Sequence, residues 1–153
     1  MALLIRSSQI HESGCYTTSA IEQGTYIVEY TGPRITLQEA DERYKHCEKT
    51  YLFGLDCGTH VIDGNGIAAY INHSCNPNCE ADEVDGQVWI IAMRDIAAGE
   101  ELAYDYNLYD GEDNDESLCF CRAANCRGTL YSEEEIERRA KLKNSAQPGA
   151  TTA

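Results

Sequence analysis

Short segments rich in β-branched and aromatic residues alternate along the chain with turn-forming residues. Residues of the first kind favour β-strands, whereas glycine, proline and aspartate favour the turns between strands. The pattern predicts strands at 3–6, 25–30, 51–55 and 87–94. Asp85-Gly86, just before the last of these, is typical of a tight hairpin turn. The chain is therefore predicted to be mostly β.

Two segments have a helical pattern. Residues 37–49 place Leu37, Ala40 and Tyr44 at helix-like spacing, which predicts a short helical insert. Ser132 and Glu135 form the sequence pattern of a capping box that opens a helix over residues 132–143. Oppositely charged residues four apart and a thin apolar stripe predict that this second helix lies on the surface.

Length and composition predict one globular domain. The chain has 153 residues, of which 42% are hydrophobic, so it can bury a real core. Its longest apolar runs, such as 88–93, are too short to span a bilayer. The first five residues are followed by Arg6 and polar residues, which is typical of neither a signal peptide nor an anchor. We therefore expect an intracellular monomer with no membrane partner.

The charge of the chain is strongly acidic, with 26 acidic and 12 basic residues and a net charge of −14. This balance argues against direct nucleic-acid binding, because phosphate contacts need Lys and Arg. It suits a basic partner, which the field of the protein would steer toward its surface. Solubility alone is the alternative explanation. Five of the acids lie within 110–117, which has no apolar side chain and should be a solvated loop.

Residues 72–79, Asn-His-Ser-Cys-Asn-Pro-Asn-Cys, form the most unusual stretch of the chain. A purely structural loop would use the asparagines and the proline as turn formers and would need neither the histidine nor the thiols. Its first three residues are also a formal N-glycosylation acceptor. We set this possibility aside because no signal peptide precedes it and a thiol follows directly.

The eight cysteines differ in their spacing. Cys119, Cys121 and Cys126 place three thiols within eight residues, which indicates a metal site, although structural zinc favours four ligands. Cys15, Cys47 and Cys57 are scattered singly, and we expect ordinary buried thiols. No Cys-x-x-Cys motif is present, which argues against a cysteine-based redox protein.

Three motifs occur in order: residues 72–79, residues 101–107 (Glu-Leu-Ala-Tyr-Asp-Tyr-Asn), and the three clustered cysteines. Together they resemble the signature of the SET-domain protein-lysine N-methyltransferases with a post-SET cysteine cluster and no pre-SET region. The resemblance spans residues 3–131. It implies small curved sheets, a short helical insert, a threaded knot-like C-terminal segment and a zinc-bound post-SET motif. It also predicts that residues 72–75 and 104–106 lie side by side.

With the resemblance, the chain divides into five parts. We expect a SET domain at 3–110, an acidic loop at 111–117, a post-SET zinc motif at 118–131, the surface helix at 132–143 and a disordered tail at 144–153. The resemblance implies structural zinc held by Cys75, Cys119, Cys121 and Cys126. Cys79 is a competing fourth ligand, although we interpret it as a buried core thiol. Four sulfurs would leave no open position for catalysis.

The implied reaction is methyl transfer from S-adenosylmethionine to a lysine of a basic protein, such as a histone-like tail. The lysine must first lose its proton, and a nearby sulfonium and an apolar tunnel would both lower its pKa. Aligning the reacting atoms is then a problem of positioning. A non-catalytic SET-like, zinc-stabilised module that binds basic peptides is the alternative. The compartment could be the cytoplasm or the nucleus, or the protein could be an exported effector without a cleavable signal.

The resemblance also implies roles for individual residues. The catalytic tyrosines would be Tyr106 and Tyr104, and a hydroxyl at Tyr104 implies mainly monomethylation. Asn72 and His73 would hold the cofactor through backbone and amide contacts, and His73 is given no acid–base role. The full cofactor set is Ser13, Gly14, Tyr51, Tyr70, Asn72, His73 and Tyr106, and the substrate-channel set is Tyr30, Tyr51, Phe53 and Tyr104.

The sequence departs from the family pattern on two flanks of the implied cofactor site. Glu12 stands where the family's Gly-x-Gly turn has its first glycine, and only Gly14 is kept. Ala69 stands where family members usually carry an arginine, and Gly64-Asn65-Gly66 shortens the link before it.

Overall fold

The computed structural model describes residues 1–109, 111–112 and 114–146. The helices of this part are α1 (Leu37–Tyr44), a 3-10 helix (Ile67–Tyr70) and α2 (Glu133–Ser145). The strands are β1 (Leu3–Ser7), β2 (Ser13–Thr17), β3 (Tyr26–Glu29), β4 (Arg34–Thr36), β5 (Leu52–Gly54), β6 (His60–Asp63), β7 (Asn72–His73), β8 (Cys79–Val84), β9 (Gln87–Ala92) and β10 (Glu101–Tyr104). The prediction of a mostly β fold with a short helical insert is confirmed. No helix in the described ranges combines the length and apolar character needed to cross a membrane.

The larger sheet is built around β10. Its strand order is β1-β2-β10-β8-β9-β3, and β7 pairs with β10 off this path. β10 runs antiparallel to β2 and parallel to both β7 and β8. Ala103 lies opposite Asn72 and Tyr104 opposite His73, and the amide of Ser74 donates to the Tyr104 carbonyl at 3.1 Å. The predicted juxtaposition of residues 72–75 and 104–106 is thus confirmed at its centre.

The β8–β9 hairpin forms where the sequence predicts it. Asp85 and Gly86 have φ of 51° and 78°, the left-handed conformation that both central residues of a type I′ turn require. Val88 and Ile90 on β9 are fully buried, whereas Trp89 between them is only half-buried. This alternation is that of a strand with one face on the core. Burying each such side chain contributes roughly 1.5–3 kcal/mol.

The smaller sheet, in the order β4-β6-β5, packs on α1. A complete capping box between Thr36 and Glu39 starts the helix. It ends at Tyr44, five residues before the predicted end at residue 49. The Tyr44 hydroxyl is bonded to Asp63 on β6 at 2.7 Å, and the following residues 45–50 are exposed. Those residues have no apolar face to bury, so packing does not extend the helix.

The cysteines outside the cluster divide into two kinds. Cys15 and Cys79 are completely buried in the main core, as expected. Cys47 and Cys57 are exposed, so the expectation that they are buried thiols is wrong. Cys47 follows the end of α1, and Cys57 lies in the turn between β5 and β6. Both positions lie outside the helices and strands, where their side chains are exposed.

The second helix is slightly longer than predicted. It covers Glu133–Ser145, so Asn144 and Ser145 are helical, and residues 147–153 of the predicted tail lie outside the described residues. The Ser132 hydroxyl accepts from the Glu135 amide at 3.2 Å, but the Glu135 carboxylate does not return the capping bond. It binds the guanidinium groups of Arg138 and Arg139 at 2.7 and 2.8 Å instead.

Arg139 also connects this helix to the acidic loop. Its guanidinium donates to the backbone carbonyls of Gly111, Glu112 and Asp115, at 2.8 to 3.1 Å. The described acidic side chains of the loop are exposed, and this part of the loop has neither helix nor strand. The loop is therefore solvated on its side chains but is held to α2 through its backbone.

Candidate active site

One cavity of about 660 Å³ lies between the centre of the larger sheet, β5 and the segment after the acidic loop. Pockets of this size hold small molecules and cofactors. It contains all the predicted cofactor-binding residues except Gly14, and all the predicted channel residues. Lining it are Ser13, Tyr30, Tyr51, Phe53, Tyr70, Asn72, His73, Tyr104 and Tyr106.

Gly14 does not line the cavity, and its role in the structure is to admit Glu101. A Cβ at position 14 would overlap the Glu101 carboxylate. That carboxylate accepts from the Ser8 hydroxyl at 2.7 Å, the Tyr16 hydroxyl at 2.9 Å and the Asn72 side-chain amide at 2.9 Å. Glu101 therefore holds the turn before β2 against β7. Glu101 was not among the predicted site residues, because an acidic residue at the start of a strand is typical of the surface.

The Asn72 side chain is engaged inside the protein. Its amide nitrogen donates to the Ser13 carbonyl and to Glu101, both at 2.9 Å. The amide contact expected with a cofactor is thus an internal contact that positions the Ser13 turn. β7 itself pairs only with β10 among the described strands, so its other edge leaves backbone groups for a ligand.

His73 is buried and neutral, and it lies between the tyrosines and the cysteines. Its Nδ1 accepts from the Tyr106 amide at 3.0 Å, so the ring proton belongs on Nε2, which lies 3.3 Å from the Cys75 sulfur. Burial lowers the pKa of the imidazole to about 4. The absence of an acid–base role for His73 stays a prediction.

The two tyrosines of the Tyr-Asp-Tyr motif have different surroundings. The Tyr106 hydroxyl donates to the Ile71 carbonyl at 2.7 Å. No group in the described part of the chain bonds the Tyr104 hydroxyl. The two rings lie 4.9 Å apart between centroids, and burial raises the pKa of both phenols above its usual range.

A continuous series of aromatic contacts forms one end of the cavity. The Phe53 ring lies 5.2 Å from Tyr30 and 6.3 Å from Tyr104, measured between centroids. The Tyr30 hydroxyl donates to the Tyr51 carbonyl at 2.7 Å, and the Tyr51 ring lies 5.5 Å from that of Tyr70. Burial raises the pKa of Tyr30, so its phenol stays uncharged. Such a wall removes water from any amine that enters and favours its neutral form.

The side chains of the four cysteines that the resemblance implies as zinc ligands form one cluster. Their sulfurs all lie within 4.8 Å of one another, and those of Cys75 and Cys119 are 3.8 Å apart. A tetrahedral zinc with sulfur bonds of about 2.3 Å has sulfur–sulfur edges of about 3.8 Å, so the donor set fits this metal. Burial alone would raise the pKa of the Cys121 thiol, but hydrogen bonds from the amides of Cys75 and Ala123 help to lower it to about 6. Cys79 is not part of this group.

Comparison with protein families matches residues 12–107 to the SET domain. This chain belongs to the SET-domain family. Three of its relatives illustrate the similarity. "Histone-lysine N-methyltransferase, H3 lysine-4 specific" of Saccharomyces cerevisiae is 43% identical over 141 residues, which are 84% of this chain and 13% of that protein. The protein of the same name from Candida albicans is 44% identical over 137 residues, 80% of this chain and 13% of the relative.

"Histone-lysine N-methyltransferase trr" of Drosophila melanogaster is 45% identical over 132 residues, 78% of this chain and 5% of that protein. The chain therefore spans only a small part of the length of these relatives. The similarity concerns the SET domain and the segment that follows it.

Two further groups in this SET domain were missed by the sequence analysis. The Asn78 side chain donates to the Glu101 carbonyl at 2.8 Å and accepts from the Ala103 amide at 2.9 Å, so it fastens residues 72–79 to β10. Asp105 binds Arg127 through two bonds of 2.7 and 2.9 Å, and the Arg127 amide donates to the Cys75 sulfur at 3.4 Å. The second group links the tyrosines to the cysteine cluster. Neither pairing has a local sequence signal.

Proposed function

We propose that this SET domain transfers a methyl group from S-adenosylmethionine to the side-chain amine of a lysine in a basic protein. The observation that carries the proposal is the single cavity that joins Asn72 and His73 to a wall of aromatic residues, with Tyr106 between them. The printed names of the relatives, which are histone-lysine N-methyltransferases, support the same reaction.

The residues of the cavity fit the cofactor. S-adenosylmethionine supplies a methyl group on a positively charged sulfur. The edge of β7 that no described strand covers offers backbone groups to it, and Ser13, Tyr51 and Tyr70 form the adjoining surface. A cation favours the faces of aromatic rings, so the tyrosines suit a sulfonium better than an apolar wall would.

The aromatic end of the cavity would prepare the lysine. Entry between Tyr30, Phe53 and Tyr104 strips water from the amine and lowers its pKa, so the neutral nucleophile forms without a strong base. Tyr106 cannot be that base, because burial raises its pKa and its proton is committed to the Ile71 carbonyl. Its remaining lone pairs and its fixed ring would position the reacting groups.

We propose that zinc binds to Cys75, Cys119, Cys121 and Cys126 and organises the domain. The cysteine segment places Leu118 and Phe120 on the wall of the cavity, although both are more than half exposed. Such side chains gain little from burial, so the metal would hold them in place. We further propose that the SET domain covers 3–110, the acidic loop 111–117 and the zinc motif 118–131.

The acidic surface and the names of the relatives suggest the substrate. A net charge of −14 suits a lysine-rich peptide, and two of the relatives are named as specific for H3 lysine-4. We therefore propose a histone H3-like tail as substrate, a nuclear location and a monomeric domain that makes no nucleic-acid contact. The Tyr104 hydroxyl, which no described group bonds, supports monomethyl-lysine as the main product.

Incubation with labelled S-adenosylmethionine and an H3 tail peptide tests this function. We expect label on the peptide and none on a matched peptide in which arginine replaces the lysine at position 4. Peptide binding without transfer would instead favour the non-catalytic module. Transfer to a different lysine would keep the reaction and change the substrate.

A further inference from the structure

The described residues supply the cavity with a single permanent cation. Among the lining residues that the structure describes, Lys49 is the only lysine or arginine, whereas Asp41, Glu48 and Asp115 are acidic. Ala69 also lines the cavity, at the position where family members usually carry an arginine. Any anionic group of a bound ligand would therefore have one permanent positive partner available.

Lys49 is held at the cavity by a second departure from the family pattern. Its ammonium lies 2.7 Å from the Glu12 carboxylate and 5.6 Å from the centre of the Tyr51 ring. Glu12 occupies the position of the missing glycine with a φ of 26°, in the turn just before Ser13. The ion pair thus bridges the turn before β2 and the segment before β5, two predicted parts of the cofactor site.

We propose that Glu12 and Lys49 form a subsite for the amino-acid end of the cofactor. Lys49 would bind its α-carboxylate and Glu12 its α-ammonium group. This inference rests on the proposed function, because it assumes a cofactor that carries both charges. It assigns to Glu12 and Lys49 a task that the alanine at position 69 cannot perform.

The chemistry of the pair allows both contacts at once. A lysine ammonium has three donors, so Lys49 can keep its bond to Glu12 and add one to a carboxylate. The Glu12 carboxylate has unused lone pairs that can accept from an ammonium group. Four charges of alternating sign then lie side by side, and each has an opposite neighbour. Without Lys49, the acidic surroundings would repel the carboxylate.

Calorimetric binding of two ligands tests the subsite. S-adenosylhomocysteine carries both charged groups, whereas methylthioadenosine lacks the amino-acid end. We expect Lys49→Met to weaken S-adenosylhomocysteine binding about tenfold or more, since it removes a charge-assisted hydrogen bond. Methylthioadenosine binding should stay within about twofold, and it also reports that the variant is folded.

Glu12→Gln is the second variant to be tested in the same binding experiment. Lys45→Met is the matched control. Glu12→Gln should also weaken S-adenosylhomocysteine selectively, because it removes the partner of the ammonium group. Lys45 follows α1, is exposed and does not line the cavity, so its variant should bind both ligands normally. If Lys49→Met weakens both ligands equally, or neither, the subsite is wrong.

The same experiment separates this inference from the proposed function. If the unmutated protein binds neither ligand, the cofactor assignment fails and the subsite fails with it. If it binds both and Lys49→Met does not discriminate between them, only the subsite fails, because methyl transfer requires no particular partner for the carboxylate.

Discussion

Tyr104 and Tyr106 are two positions apart at the end of β10, yet their hydroxyl groups have different surroundings. The Tyr106 hydroxyl is oriented by the Ile71 carbonyl, whereas that of Tyr104 has no partner in the described part of the chain. An oriented hydroxyl can align reacting groups, and an unpartnered one can bind water or a lysine amine. The two side chains should therefore affect the reaction differently.

Tyr106→Phe should lower kcat by about a hundredfold or more, because it removes a polar group positioned at the reacting atoms. Cofactor affinity should change little, since the β7 edge remains intact. Single-turnover rates and calorimetry measure the two effects. Tyr26→Phe is the matched control, because Tyr26 packs on Trp89 and does not line the cavity. Transfer at the parent rate would contradict the role of Tyr106.

Tyr104→Phe should shift the products from monomethyl-lysine toward di- and trimethyl-lysine. The Tyr104 hydroxyl can hold a water in the space that a methylated amine must occupy, and displacing an ordered water without replacing its bonds is unfavourable. The first transfer should change little. Mass spectrometry of the peptide measures the product distribution. Trimethyl-lysine made readily by the unmutated protein would show that Tyr104 does not limit methylation.

At the scale of elements, the segment after the acidic loop is held by bonds rather than by burial. Leu118 is bridged to Thr129, and the four cysteine sulfurs join the segment to the end of β7. Leu118 and Phe120 are 54% and 59% exposed, so hydrophobic burial alone would hold them only weakly. Cofactor binding should consequently depend on the metal.

Cys121→Ser should remove the metal and weaken cofactor binding, because three thiolates no longer close the tetrahedral site. Elemental analysis measures the metal, and calorimetry the affinity. Cys57→Ser is the matched control: Cys57 is exposed in the β5–β6 turn and lies outside the cluster, so its variant should keep one zinc per chain. Full activity of metal-free protein would contradict a structural role for zinc.

At the scale of the whole molecule, the excess of 26 acidic over 12 basic residues should act on substrate association. A field from many exposed charges accelerates and strengthens binding of a basic peptide. Salt screens this field, and at about 0.1–0.15 M exposed charges more than about 8–10 Å apart interact only weakly.

Binding of an H3 tail peptide should therefore weaken as salt rises from about 0.05 to 0.3 M, where the Debye length shortens. Titrations at several salt concentrations measure the slope. A peptide whose flanking basic residues are replaced by glutamine should show a smaller slope. If both peptides bind equally at every concentration, the acidity serves solubility alone.

Local patterns in the sequence were sufficient for much of the framework. Enrichment in β-branched and aromatic residues located β9, and turn chemistry located the Asp85-Gly86 turn, because these features depend on neighbours within a few residues. The three motifs, together with the family resemblance, identified the SET domain and the residues that line the cavity. The four-cysteine cluster was also found in this way, although only the resemblance supplied Cys75.

The remaining features depend on contacts between distant parts of the chain. The end of α1 at Tyr44 depends on how far the helix packs on the smaller sheet, and Cys47 beyond that end is exposed. The bonds of Asn78 to β10 and the Glu12–Lys49 pair join residues that local periodicity cannot relate. The position of β10 between β2 and the strands after residue 72 brings Asn78 to its partners. The hydrophobic pattern of an element predicts which of its sides is buried, but it does not predict which other element covers that side.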